Sequence, residues 1–304
     1  MPHTPADTPA VLPAEILDAF RLHPQLPDLC GQPLGAVLRS GLTNRVYRLA
    51  ATGGTFFLRL PESGNAQRID RAVEAHNLVL AVKAGRALPP VYCHPASGIL
   101  VTRAVEDCDR LPEDAPERLG TALGLLHASG AAFEGFIDAD SLRTGHVRRL
   151  PSAAIADPEM IRLTACLDDL AANQTTYVPP PVPSHGDPSP GNCLFAPDRL
   201  WLIDWEYSAM ADPAWDLAYA ILEHGYTRQQ ERRFLQAYAV TSGDASRVAA
   251  RQIEIMKSKC DAVSALWALE QVVAGRDEVV FLPFAQARRD RALARLDKMQ
   301  DPAI

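Results

Sequence analysis

Residues 184–195 read SHGDPSPGNCLF. Pro188 and Pro190 lack the backbone N–H that a helix or a central strand requires, and Gly186 and Gly191 add freedom that regular elements avoid. The segment is therefore a stiff loop running into the apolar triplet Cys193-Leu194-Phe195. It carries Asp187 and Asn192 five positions apart, with His185 beside the Asp. A loop this constrained can hold both polar side chains toward one site. Downstream, LWLIDWEY places Asp204 at the end of an apolar run and Glu206 two positions further on.

Around this loop the chain changes character. Upstream, AVLRS (36–40), RVYRLA (45–50) and TFFLRL (55–60) alternate like strands and are joined by turn-rich SGLTN and ATGG, which predicts an antiparallel meander. A helix is expected over 13–22 and another over 66–84, the latter with Ile69, Val73 and Leu80 on its apolar face and Gly85 as its stop. Short strands are expected near 90–93 and 99–103. Beyond Asp107 the pattern turns helical, with helices over 116–129 and 157–172. CLF and LWLI flank the turn APDR as a hairpin. Asp212 followed by Pro213 reads as an N-cap and first helical position opening a helix to about Glu223, and the rest to Met299 is mostly helical. The expected class is α+β, with a β-rich N-lobe over 1–105 and a helical C-lobe over 106–304.

The composition sets outer limits. With 304 residues and 47% hydrophobic content the chain can bury a sizeable core in one domain or two lobes, and its net charge of −7 shows no basic excess for a nucleic-acid partner. No apolar run approaches the roughly 18 residues of a membrane span. The N-terminus lacks the basic start and apolar core of a signal peptide. Six scattered cysteines with no CxxC pair fit reduced thiols in the cytoplasm better than disulfides or a zinc site.

Phosphoryl transfer needs a carboxylate that orients or accepts a hydroxyl proton and oxygen ligands for the Mg²⁺ that neutralises a triphosphate. Asp187, Asn192 and Asp204 supply those groups in order, and the Asp-x-x-x-x-Asn spacing is that of a kinase catalytic loop. The set HGDPSPGN, LIDWEY and DPAWDLA resembles the aminoglycoside phosphotransferase and choline kinase superfamily, closest to the bacterial choline/ethanolamine kinase branch. SGLTNRVYRL and FFLRLP extend the resemblance upstream, so that it spans about Ser40 to Arg288. It implies a protein-kinase-like two-lobed fold and use of ATP and Mg²⁺. Residue by residue it implies that Asp187 is the catalytic base, that Asn192, Asp204 and Glu206 serve the metal, and that His185 and Asp216 support the loop. Arg59, where protein kinases carry Lys, would hold ATP phosphates, with Glu74 as its carboxylate partner. Ser40 and Asn44 would hydrogen-bond phosphate, and the backbone near Thr102 to Val105 would meet adenine.

For the acceptor, the choline kinase branch binds a small cation, which calls for aromatic faces and a counter-charge. The resemblance places Glu223, Trp267, Phe281 and Phe284 there. Two departures, Ser264 for a second Trp and Phe for Tyr, leave choline, ethanolamine, thiamine and other amine alcohols open. An aminoglycoside kinase of the same fold, a silent nucleotide-binding module and a metal-dependent hydrolase built on His185, Asp187 and Asp204 are the competing readings. By spacing alone the aromatics fit core positions equally well, and His127 reads as a capping or packing residue. Cys193 has no matched His in sequence to make it a nucleophile.

Overall fold

The computed structural model describes residues 12–39, 44–61, 69–106, 108, 111–173, 179–244 and 249–300. In chain order the elements are α1 (Ala14–Leu22), α2 (Gln25–Cys30), β1 (Pro33–Arg39), β2 (Asn44–Ala51), β3 (Gly54–Pro61), α3 (Arg71–Lys83), β4 (Pro90–His94), β5 (Ile99–Arg103), α4 (Ala115–His127), β6 (Phe136–Ile137), α5 (Ala139–Arg149), α6 (Pro158–Asn173), β7 (Val182–Ser184), β8 (Cys193–Phe195), β9 (Leu200–Leu202), β10 (Ala209–Ala211), α7 (Pro213–Glu223), α8 (Arg228–Ser242), α9 (Ala250–Val273) and α10 (Glu278–Gln300). They fall into two compact units. Met1–Leu111 and Leu194–Tyr207 make the first, and Pro112–Cys193 and Ser208–Ile304 the second. The small antiparallel sheet belongs to the first and most helices to the second, as the α+β reading expected.

The first unit is built on a sheet of order β1-β2-β3-β5-β4 with every neighbouring pair antiparallel. Alternation in β2 puts Tyr47, Leu49 and Ala51 inward while Arg48 and Ala50 face solvent. Ile16, Phe20 and Leu26 from α1 and α2 close the core over Tyr47, Leu49, Phe56 and Leu58. Burying each large side chain stabilises the unit by about 1.5–3 kcal/mol. Asp70 caps α3 by accepting the N–H groups of Ala72 and Val73. The expected start at Ala66 lies outside the described residues, and the expected apolar face is corrected. The buried stripe is Glu74, Asn77, Leu78 and Ala81, at i, i+3, i+4 and i+7, whereas Val73 and Leu80 are only half-buried and Ile69 precedes the helix. A carboxylate and an amide occupy core-facing positions there because ion pairs compensate the Glu74 charge.

In the second unit α4 and α8 approach closely along glycines. A Cβ on Gly120 would stand 2.2 Å from the Phe234 carbonyl oxygen, and one on Gly124 2.8 Å from the Thr241 Cβ. A second core gathers Leu163 and Leu167 of α6, Leu266 of α9, and Phe281, Leu293 and Leu296 of α10. α5 carries no apolar stripe and has no counterpart in the expected elements; it buries Ala139, Arg143 and His146. A short sheet of order β6-β10-β7 leads into the 185–192 loop. Asp212 accepts the Ala214 N–H at 2.8 Å, with Pro213 at the first helical position of α7, as expected. Among the described residues no helix is long and apolar enough to cross a membrane. The six cysteines are all free thiols.

Candidate active site

In the first unit, Arg59 on β3 faces Glu74 on α3 as a fork on a carboxylate. Its two terminal nitrogens donate to the two Glu74 oxygens at 2.5 and 2.9 Å, with both side chains under 10% exposed. Arg59 also reaches Asp204 Oδ1 at 3.5 Å. Burial pulls the Arg59 pKa down, but Glu74, Asp204 and Glu206 outweigh it and the guanidinium is held charged. Burial alone would likewise raise the Glu74 carboxyl; Arg59 and Arg71 reverse this and hold it below the usual carboxylate range. Arg71 was not foreseen. It donates to Glu74 at 2.8 Å, to Glu206 at 3.2 Å and to the Asn44 side-chain oxygen at 2.8 Å, while the Asn44 amide donates to the same Glu206 oxygen at 2.8 Å. Its one sequence signal is its place three residues before Glu74, directly after the cap. Asn44 is 6% exposed, and this network engages both ends of its amide.

Asp204 follows β9 with φ 63, the one positive φ of a non-glycine among the described residues. Such a conformation costs about 1–3 kcal/mol and persists where the surroundings over-determine it. Here the backbone turns sharply between β9 and the tight turn Trp205–Tyr207, and Asp204 keeps a third of its side chain exposed. Thr102 sits within β5, registered against Phe57 on one side and Pro90 on the other. Val105 lies just past that strand and accepts a hydrogen bond from the Cys108 thiol. Ser40 falls outside the described residues.

In the second unit the 185–192 loop hangs from Asp216. This fully buried carboxylate accepts the backbone N–H of His185 at 2.7 Å and of Gly186 at 2.9 Å, and the His127 Nε2–H at 3.1 Å. Burial would raise its pKa, but His127, His185 and the Gly186 N–H hold it below the usual range. Gly186 takes φ 87, a turn that favours glycine, and its carbonyl accepts the Trp215 indole N–H at 2.9 Å. The Asp187 N–H donates to His185 Nδ1 at 3.3 Å, so the buried His185 serves the backbone. The Asn192 amide nitrogen donates to both the Asp187 carbonyl and its carboxylate Oδ2 at 3.0 Å. That fixes the carboxylate and turns the Asn192 side-chain oxygen into the atom it offers elsewhere. His127 proves to be more than a packing residue, since it ties Asp216 to Tyr238, whose hydroxyl lies 2.9 Å from its Nδ1. The structure also brings His224 Nε2 to 3.9 Å from the Cys193 thiol, but that N–H points at the Pro188 carbonyl at 3.2 Å. Burial pushes the thiol pKa up and that of His224 down to about 4, so no thiolate–imidazolium pair forms.

The residues expected for the acceptor also gather in the second unit. Trp267 meets Phe281 edge-on at 5.7 Å and Phe284 at 6.5 Å between centroids. Phe281 belongs to the core, and Trp267 and Phe284 pack against it. Glu223 closes α7 and is bound by Arg288 of α10 through two contacts of 2.7 and 2.8 Å. Among the described residues no group of three or more His, Cys, Asp or Glu is arranged to hold a metal. The hard-oxygen donors that suit Mg²⁺ are Asp204 and Glu206 in the first unit and the Asn192 side-chain oxygen in the second.

The sequence model of the phosphotransferase enzyme family (APH) matches residues 35–252. Protein LicA of Haemophilus influenzae is 29% identical over 204 residues, covering 64% of this chain and 59% of that protein's length. A choline/ethanolamine kinase family protein from Mesorhizobium loti superposes with a TM-score of 0.75 at 28% identity, over 95% of this chain and 96% of its own. A LicA structure in complex with AMP gives 0.73 at 25% identity, over 91% and 97%.

Proposed function

Because the chain belongs to the phosphotransferase enzyme family, we propose that it transfers the γ-phosphate of ATP to the hydroxyl of a small amine alcohol, choline or ethanolamine. The observation that carries this reading is the anchored loop. Asp216 ties down its backbone, and Asn192 orients the Asp187 carboxylate. The N-lobe and C-lobe division expected at 105/106 is part of the same proposal. The similarity to a choline/ethanolamine kinase family protein and to a LicA that binds AMP supports the acceptor class and the nucleotide.

Asp187 accepts the acceptor's hydroxyl proton as its oxygen attacks the γ-phosphorus. The P–O bond to the β-phosphate breaks, and ADP leaves with those electrons. Arg59, held charged by Glu74, binds phosphate oxygens. Arg71 and Asn44 hold Glu206 in place. Asp204 and Glu206 of the first unit, and Asn192 of the second, are the oxygen donors proposed for Mg²⁺, which when bound would neutralise phosphate charge. Six free thiols suit a reducing compartment, so the cytoplasm, where ATP is abundant, is the proposed setting. The test is ADP release with Mg²⁺-ATP against choline, ethanolamine, thiamine, an aminoglycoside and no acceptor, with Asp187→Asn as the blank. Stimulation by choline or ethanolamine is expected. Stimulation by thiamine or the aminoglycoside alone overturns the acceptor, and activity retained by Asp187→Asn overturns the base.

A further inference from the structure

The features that would attract a cationic acceptor are already engaged by a cation of the chain itself. The Arg288 guanidinium forks onto Glu223 at 2.7 and 2.8 Å and lies over the Phe284 ring with its central carbon 4.6 Å from the centroid. A carboxylate and an aromatic face are the two interactions a small ammonium ion uses. On its other side Arg288 reaches Asp261 Oδ1 at 3.4 Å, a long contact. The fully buried Asp261 does not depend on it, because Arg291 donates to both its oxygens at 2.5 and 2.8 Å and Arg295 adds a third contact at 3.2 Å. Arg288 is thus shared unequally between two carboxylates, gripping Glu223 and only brushing Asp261. Glu223 ends α7, the helix whose Asp216 anchors the 185–192 loop, so one element carries both this ion pair and the loop's anchor.

We propose that Arg288 is the specificity-determining residue of the acceptor site, a built-in cation that an incoming amine must displace from Glu223 and Phe284. This rests on the reading of Glu223 as part of that site. Displacement sends Arg288 toward Asp261, where a second carboxylate receives it. The exchange discriminates between acceptors. A primary ammonium replaces the lost N–H···O bonds with its own donors, whereas a quaternary ammonium offers charge and surface but no donor. Arg288 therefore favours ethanolamine over choline, and its removal favours choline.

The experiment compares the wild type with Arg288→Met, which keeps an apolar stem over Phe284, and with Arg288→Lys, which keeps the charge without the fork. Choline, ethanolamine and ATP KM values are measured alongside calorimetric binding of tetramethylammonium, with thermal melts to verify folding. In Arg288→Met the choline KM and the tetramethylammonium Kd are expected to fall about tenfold, ethanolamine to gain about threefold, and the ATP KM to stay within about twofold. Arg288→Lys moves about threefold in the same direction, and it decides the matter if the Met variant does not fold. Unchanged or weaker tetramethylammonium binding in a folded variant, or none by any of the proteins, overturns the proposal. If the wild type phosphorylates neither amine alcohol, the functional reading fails, and the tetramethylammonium comparison still decides whether Arg288 competes for the site.

Discussion

Replacing Asp216 by Asn tests whether the 185–192 loop hangs from one carboxylate. The fully buried Asp216 accepts two loop N–H groups, at 2.7 and 2.9 Å, and the His127 imidazole at 3.1 Å. A hydrogen bond to a charged group contributes about 1.5–3 kcal/mol, and a buried donor left unmatched costs about 1–3 kcal/mol. Asn keeps one accepting oxygen and turns an NH₂ toward a backbone N–H, so one charge-assisted bond is lost and two donors face each other. The sum is a destabilisation of about 3–5 kcal/mol. At about 2–4 °C per kcal/mol for a domain of this size, the melting temperature falls by about 6–20 °C. A loop displaced by about 1 Å costs about a hundredfold in ADP release. The pH dependence follows from the sign of the shift. The Asp216 carboxyl is held below its usual range, so it contributes stability above its unfolded pKa of about 4, and this is lost as pH falls through the lower folded value. The gap between wild type and variant should therefore narrow below about pH 4. Melting curves from neutral to acid pH and an ADP-release assay read both. A melting shift under about 2 °C near neutral pH, with activity within about tenfold of wild type, would refute the anchoring argument.

Other substitutions probe separate links. Asp187→Asn, nearly isosteric, is expected to lower turnover by about 10²–10⁴-fold while melting within a few degrees of wild type, as read by ADP release and thermal melts. Glu74→Gln strips the buried Arg59 and Arg71 of a shared carboxylate. It should cost about 3 kcal/mol in denaturant unfolding and raise the ATP KM, and an unchanged KM would sink the phosphate role of Arg59. Gly120→Ala pushes a methyl into the Phe234 carbonyl at 2.2 Å, so α4 and α8 must separate, and a loss of about 1–3 kcal/mol is expected by the same measurement. Cys193, buried with its pKa pushed up by its surroundings, should resist iodoacetamide in the folded protein; rapid alkylation, read by mass spectrometry, would contradict its burial.

Local chemistry made much of this protein legible before any coordinates. Strand alternation, turn residues and the Asp212-Pro213 cap depend on near neighbours, and they announced the meander, the hairpin and the start of α7. The proline- and glycine-stiffened loop was legible for the same reason, and the contact between Asn192 and Asp187 within it spans only five residues. α3 and α5 were misread or missed for the opposite reason. Their buried faces carry Glu74, Asn77, Arg143 and His146, and apolar periodicity is blind to a charge whose partner comes from another part of the chain.

What only the tertiary structure decided is pairing over long sequence separations. Arg71 joins Glu206 and Asn44, His127 joins Asp216, and Arg288 takes hold of Glu223. Sequence alone determined which residues could bear charge, ligate a hard cation or offer an aromatic face. Which of those capacities are already satisfied inside the protein depends on Coulomb and hydrogen-bond contacts acting over a few ångströms of space, whatever the distance along the chain. Glu223 and Phe284 have the residue types of a cation site, and the fold sets an arginine of the same chain against them.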